Sequence, residues 1–196
     1  MKSADLAASA GVATRRRWLL GAMVSAVFAA ATGKSVAASL SGPKRSATVR
    51  IESFSGAGIS QGTMAVERIT KSDQEWRKQL PPASYAVTRH AATEPPGSGE
   101  YDHNRTDGLY RCIGCDTALF DSRTQFDSGS GWPSFWKPIS RLNVTEQADD
   151  SLGMQRTAVA CSRCDAHLGH VFDDGPRPTG LRYCMNSVAL KFMRRA

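Results

Sequence analysis

The stretch Cys112-Ile113-Gly114-Cys115 places two thiols one tight turn apart, and the same spacing returns at Cys161-Ser162-Arg163-Cys164. Two such turns that meet complete a tetrahedral set of thiolates, the donor set of a structural zinc ion, one per chain. Gly114 can supply the positive φ that such a turn uses. The pairs lie far apart in sequence, so the metal would tie two distant hairpins together and stabilise a domain with a modest core. Four thiolates leave no open coordination position, which makes the site structural rather than catalytic. Two other readings stay open on these residues alone. Each CxxC could be a disulfide or redox pair, and His167 or His170 could replace one sulfur ligand.

Outward from these turns, beyond Gly108, the chain reads as short strands at 109–112, 118–121, 134–139, 142–148, 155–161, 171–172 and 181–193, with a hairpin turn at 149–153. Ahead of them, Ser72-Asp73-Gln74-Glu75 is a capping-box pattern that predicts a helix to Leu80, before Pro81. Pro82 suits the first turn of a second helix over 83–90, with Tyr85 on its apolar side. The following stretch 94–108, EPPGSGEYDHNRTDG, reads as a Pro and Gly loop whose Tyr101, His103 and Asn104 carry no chemistry. The fold class is therefore mainly β: antiparallel sheets with short N-terminal helices, cross-linked by a four-cysteine zinc site.

Of the five cysteines, Cys184 is left over, 20 positions beyond Cys164. Around it LRYCMNSVALKF alternates with period 2, which puts Arg182, Cys184 and Asn186 on one face and Tyr183 and Met185 on the other. A guanidinium there would favour thiolate over thiol, and a carboxamide could hydrogen-bond a reacting group. The plain alternative is a small buried hydrophobe.

The first 38 residues read as a signal peptide. A basic cluster, Arg15 to Arg17, precedes an uncharged run of 16 residues from Trp18 to Gly33, and Val36 and Ala38 place a cut before Ser39. A membrane span needs about 20 residues, so no stable span is expected in the mature chain. Thr14-Arg15-Arg16-Arg17-Trp18-Leu19 also resembles a twin-arginine export signal. That route carries folded proteins, which suits a chain that gains zinc on cytosolic thiols before it meets an oxidising compartment such as the bacterial periplasm. Residues 39–69, rich in Gly, Ser and Ala with at most a weak strand at 48–54, read as a flexible linker to a domain over 70–196. The whole chain has 25 Lys and Arg against 18 Asp and Glu. Five of those cations (Lys2, Arg15, Arg16, Arg17, Lys34) and one acid (Asp5) leave with the signal, so the mature charge is 20 − 17, or +3. Basicity therefore gives no case for nucleic-acid binding.

GWPSF at 131–135, HLGHVFDDGP at 167–176 and RYCMNS at 182–187, ordered with the two CxxC pairs, resemble the B-type peptide-methionine (R)-S-oxide reductases over about residues 70–193. The resemblance implies that Cys184 is the nucleophile toward the sulfoxide sulfur and His170 the acid for its oxygen. It places His167 and Asn186 as hydrogen-bonding groups and Trp132 as the wall for the substrate methyl. Asp174 and Arg182 support these, and Cys112, Cys115, Cys161 and Cys164 hold zinc. Reducing R–S(=O)–CH₃ independently needs a soft nucleophile, a proton for the oxygen and an apolar aromatic pocket. The implied partners are oxidised methionine in proteins or free methionine sulfoxide, acted on by a monomer. Many members carry a second cysteine just before GWPSF, where this chain has Ser130. That departure implies reduction in trans by a thioredoxin-like protein or small thiol. Rival functions are a zinc-knuckle interaction module, which would not need Cys184, and a thiol–disulfide oxidoreductase cycling at Cys112 and Cys115.

Overall fold

In a computed structural model that describes residues 46–151 and 155–196, the alternation around Cys184 has its expected effect. Tyr183 and Met185 are fully buried while Arg182 and Cys184 face the other way, half-buried. This short strand, β10 (Arg182–Met185), lies inside a six-stranded sheet. Its neighbours are β5 (Gln125–Phe126), β6 (Ser134–Phe135), β7 (Val144–Asp149), β8 (Arg156–Cys161) and β9 (His167–Phe172), in the order β5-β6-β10-β9-β8-β7 with every pair antiparallel. A second sheet runs β11-β3-β4, from β3 (Gly108–Cys112), β4 (Ala118–Asp121) and β11 (Leu190–Arg194). The core sits between the two sheets. Phe120 of β4 stacks on Phe135 of β6 with ring centroids 4.5 Å apart, and Tyr110 of β3 meets Phe135 edge-on at 5.0 Å. Such pairs contribute about 1 kcal/mol each beyond their area burial. The chain is mainly β, as its sequence implies.

Two short helices precede the sheets, α1 (Asp73–Gln79) and α2 (Pro82–His90). The capping box forms in full: Ser72 accepts from the Glu75 amide, and the Glu75 carboxylate accepts from the Ser72 amide at 2.8 Å. Pro82 opens α2 where its missing N–H costs nothing.

Three expectations need correction. Much of the expected linker 39–69 is an ordered antiparallel hairpin, β1 (Thr48–Phe54) and β2 (Ser60–Glu67). Its anchor is the fully buried Asn143, whose Nδ2 donates to Glu52 O and whose Oδ1 accepts from Glu52 N, both at 2.8 Å. That carboxamide takes the place of a neighbouring strand, from 91 residues away, so local composition holds no trace of it. β2 is exposed along nearly its whole length, which removes the apolar alternation that marks a strand.

The single strand expected over 181–193 is two strands in different sheets, parted by a 3₁₀ turn at Ser187–Ala189. The turn forms because the buried Glu94 carboxylate accepts the Ser187 and Val188 amides, at 2.6 and 3.1 Å, taking both out of any ladder. The third correction concerns two shorter segments. The strand expected at 134–139 stops at Phe135, while β9 starts at His167 rather than 171. The expected signal segment 1–38 lies outside the described residues, as do positions 152–154 of the hairpin turn. Among the described residues, no helix is long and apolar enough to cross a membrane.

Candidate active site

β3 and β8 each deliver a cysteine at their C-terminal end and then turn. Asp116 N–H donates to Cys112 O and Asp165 N–H to Cys161 O, both at 2.9 Å, closing two knuckles of the same form. The left-handed residue in each is the aspartate after the second cysteine, Asp116 at φ 60° and Asp165 at φ 55°, and not Gly114. Gly114 faces the Trp76 ring and Cys164 Sγ, and a Cβ there would meet them at 3.4 and 3.6 Å, ordinary van der Waals distances. The helices brace these turns. Gln79 donates to Gly114 O at 2.7 Å, and the Arg89 guanidinium donates twice to Cys164 O at 3.0 Å.

All four sulfurs fall within 4.8 Å of one another, with Cys112 to Cys164 at 3.6 Å and Cys115 to Cys161 at 3.5 Å. A tetrahedron with metal–sulfur bonds of about 2.3 Å has edges of about 3.8 Å. The four cysteines could therefore hold a metal ion, and the all-sulfur donor set suits a soft or borderline one. The short approaches run between the two knuckles, and all five thiols are free.

Cys184 stands apart from that cluster. Across the ladder it pairs with His170 of β9 on one side and Ser134 of β6 on the other. His167 and His170, three apart, would point to opposite faces of a regular strand. A bulge in β9 changes that: Gly169 pairs with Val159 and His167 with Ala160, so one extra residue, Leu168, shifts the parity. The two rings then meet edge-on, 5.3 Å apart. Gly169 lies within β9 and continues the strand. It lets β9 and β10 close up, since a Cβ there would sit 2.1 Å from Cys184 O.

The structure brings Trp132, His170, Cys184 and Asn186 around one cleft of about 130 Å³, together with Thr93, Arg156, Gly169, Phe172 and Met185. His167 joins through its contact with His170. Arg182 and Asp174 do not line the cleft. They form a two-pronged ion pair beside it, both bonds at 2.8 Å, with the guanidinium 4.4 Å over the Phe172 ring. A larger groove of about 470 Å³ adjoins, sharing Arg156 and Phe172.

The indole, carboxamide and imidazole of the cleft are held from behind. Trp132 Nε1–H donates to Glu94 O at 3.1 Å. The Asn186 carboxamide accepts from Glu94 N–H at 3.0 Å and donates to Leu168 O at 3.0 Å, which leaves one Nδ2 hydrogen for a ligand. His170 Nε2 lies 2.8 Å from Asp149 Oδ2, and Arg156 Nη2 reaches the same oxygen at 2.9 Å. Hydrogen bonds from Ser151 and His170 hold the Asp149 carboxyl well below the usual range. Ionised Asp149 can only accept, so the His170 Nε2 carries a proton and Nδ1 is the second ring nitrogen.

Burial pushes His167 down to about 4, so His167 is neutral near pH 7. Its Nε2 is buried with no hydrogen-bond partner among the described residues. The Cys184 thiol moves up, because burial outweighs the opposing pulls of Ser130 and then Arg182. Arg182 pulls toward the thiolate, as its place two residues away implies, but desolvation is the larger contribution. Ser130 Oγ is 3.8 Å from Cys184 Sγ.

Sequence reasoning missed Asp149, Arg156, Glu94 and Phe172. Asp149 and Arg156 sit at the ends of the β7–β8 hairpin, in register with each other. A reader could have found the pair only by knowing that β9 lies next to β8.

A scan against protein-family models matches the SelR domain over residues 80–194. Among curated proteins, a Pseudomonas fluorescens (strain Pf0-1) protein named peptide methionine sulfoxide reductase MsrB is 57% identical over 130 residues, 66% of this chain and 99% of the relative. Proteins of the same name from Thioalkalivibrio sulfidiphilus and Hahella chejuensis are 59% identical over 122 residues and 54% identical over 127. The first alignment covers 62% of this chain and 88% of the relative, the second 65% and 91%.

Proposed function

This chain belongs to the SelR-domain family, and from that premise we propose that it reduces the R epimer of methionine sulfoxide, in proteins or free, to methionine. The observation that carries the proposal is the lone thiol Cys184 paired across β9 and β10 with a carboxylate-bound imidazole, in a cleft with an indole and a carboxamide.

In the proposed reaction the Cys184 sulfur attacks the sulfoxide sulfur. The Cys184 thiol proton passes through His170 Nδ1 to the sulfoxide oxygen, while Asp149 holds Nε2–H. The new sulfur–sulfur bond and the substrate S–O bond then break as the hydroxyl passes to the Cys184 sulfur, which leaves a sulfenic acid and methionine, so the cysteine sulfur is oxidised by two electrons and the substrate sulfur reduced by two. Two reductant thiols then return Cys184 to the thiol and leave as a disulfide with one water. His167, neutral and short of a partner at Nε2, supplies a hydrogen bond rather than the proton. Trp132 and Phe172 receive the methyl, which is apolar, and the Asn186 Nδ2 hydrogen receives the oxygen. The larger adjoining groove can take the flanking polypeptide of a protein-bound substrate. An assay that resolves the two epimers tests this proposal: consumption of the R epimer alone supports it, and equal consumption of both refutes it.

The metal the four cysteines would hold is zinc, one per chain, which when bound supplies rigidity by joining the β3 and β8 knuckles and takes no part in the chemistry. Ser130 argues for reduction in trans, by a thioredoxin-like protein or small thiol acting on a monomer. One equivalent of sulfoxide is then expected to leave no internal disulfide at Cys184. Ser130→Cys is expected to form one in a single turnover, since its hydroxyl already lies 3.8 Å from the sulfur. An internal disulfide in the unaltered protein would count against reduction in trans.

Residues 1–38 are proposed as a twin-arginine-type signal that sends residues 39–196 to the periplasm. Replacing Arg15 and Arg16 together by lysine is expected to leave uncut precursor in the cytoplasm, with fractionation and blotting as the measurement. Unchanged export would overturn this localisation.

A further inference from the structure

The loop that begins at residue 94 reads as inert in the sequence, yet Glu94 makes four separate contacts, each to a wall or a support of the cleft. Its carbonyl accepts the Trp132 indole N–H at 3.1 Å, and its own N–H donates to Asn186 Oδ1 at 3.0 Å. Its carboxylate accepts Ser187 N–H at 2.6 Å and Val188 N–H at 3.1 Å, in the turn that follows the Cys184 strand. Three residues on, Gly97 N–H donates to Gly131 O at 2.7 Å, next to Trp132. The fit leaves no slack. A Cβ at Gly99 would meet Glu94 Oε1 at 2.6 Å, and one at Gly131 would meet Gly97 N at 2.8 Å.

The indole and the carboxamide come from segments 54 residues apart (186 − 132), and neither is bonded to the other. Both are bonded to the main chain of one residue, which is 7% exposed and fixed by its carboxylate. We propose that Glu94 is a positioning residue that sets the gap between Trp132 and Asn186, and so fixes how closely the cleft fits a methyl group on the sulfoxide sulfur. Removing the carboxylate frees the Ser187 and Val188 amides and lets residue 94 drift. The indole and carboxamide then lose their common anchor, while Cys184, held by the β6 and β9 ladders, keeps its place.

This inference rests on the reductase function proposed above. The test compares the full metal-loaded chain with Glu94→Gln and Glu94→Ala. The readouts are kcat and KM for methionine (R)-sulfoxide, the kcat/KM ratio of that substrate to its S-ethyl analogue, and the rate at which iodoacetamide alkylates Cys184. For Glu94→Ala, KM is expected to rise about 10-fold, as for loss of a buried charge-assisted contact, and the methyl-to-ethyl ratio to fall about fivefold. Alkylation, which needs neither indole nor carboxamide, is expected to stay within about twofold. Glu94→Gln retains one acceptor oxygen, so it is expected to shift KM and the ratio the same way by a smaller amount. That variant decides the matter if Glu94→Ala fails to fold. An unchanged ratio in a folded variant overturns the inference, as does a fall in kcat parallel to a fall in alkylation. A wild-type chain inactive on the R epimer overturns the reductase function and the inference together, which separates that failure from this one.

Discussion

Cys184→Ser is expected to lower kcat for methionine (R)-sulfoxide at least about 10⁴-fold, because a neutral hydroxyl is a far weaker nucleophile toward sulfur and cannot hold oxygen as a sulfenic acid. The fold should tolerate the change. Cys184 is half-buried, shares no contact with the four clustered sulfurs, and its strand is held by main-chain ladders on both sides. Thermal unfolding of the variant should therefore match the parent within a few degrees, while turnover disappears. This pairing of results separates an enzyme from an interaction module built on the same knuckles, since the module would keep its function. It also separates the proposed chemistry from redox cycling at Cys112 and Cys115, which would survive loss of Cys184.

The second large effect concerns the metal. Cys161→Ser, or prolonged chelation, is expected to cost at least about 4 kcal/mol of stability, since a closed thiolate site contributes folding energy directly. For a domain of this size, at roughly 3 °C per kcal/mol, the midpoint should fall by about 12 °C or more. Calorimetry with a zinc assay on the same samples checks it, and an unchanged midpoint after complete metal loss would refute the structural role. The reason for so large an effect lies in what the knuckles carry. α1 and α2 donate to their carbonyls through Gln79 and Arg89, and Ile69 N–H, just past the β1–β2 hairpin, donates to Arg163 O at 2.8 Å. Opening the knuckles therefore loosens three N-terminal pieces at once.

How much of this was legible beforehand follows from where each constraint resides. The two CxxC turns, the capping box at Ser72 and the alternation at Tyr183, Cys184 and Met185 are encoded within a few residues, and each formed as its local pattern implies. What stayed hidden depends on partners distant in sequence. The hairpin at 48–67 is anchored by Asn143, the break after Asn186 is made by Glu94, and the shared face of His167 and His170 exists only because Leu168 is a bulge against β8. Motif order could place His170 near Cys184 by resemblance. It could not reveal Asp149 behind the ring, because that carboxylate arrives from a strand two places away in the sheet. The sign of the Cys184 shift was hidden for the same reason: Arg182 is visible two positions away in sequence, whereas burial belongs to the assembled fold.

The central claim is a separation of sulfur roles, with one reactive thiol apart from four that hold metal. Mass spectrometry of the reduced, metal-loaded protein, treated with one equivalent of methionine (R)-sulfoxide and trapped with a sulfenic-acid reagent, tests it most directly. The account predicts a single adduct at Cys184, with methionine released in equal amount and zinc retained. An unmodified Cys184 together with oxygen on Cys112, Cys115, Cys161 or Cys164 would contradict it.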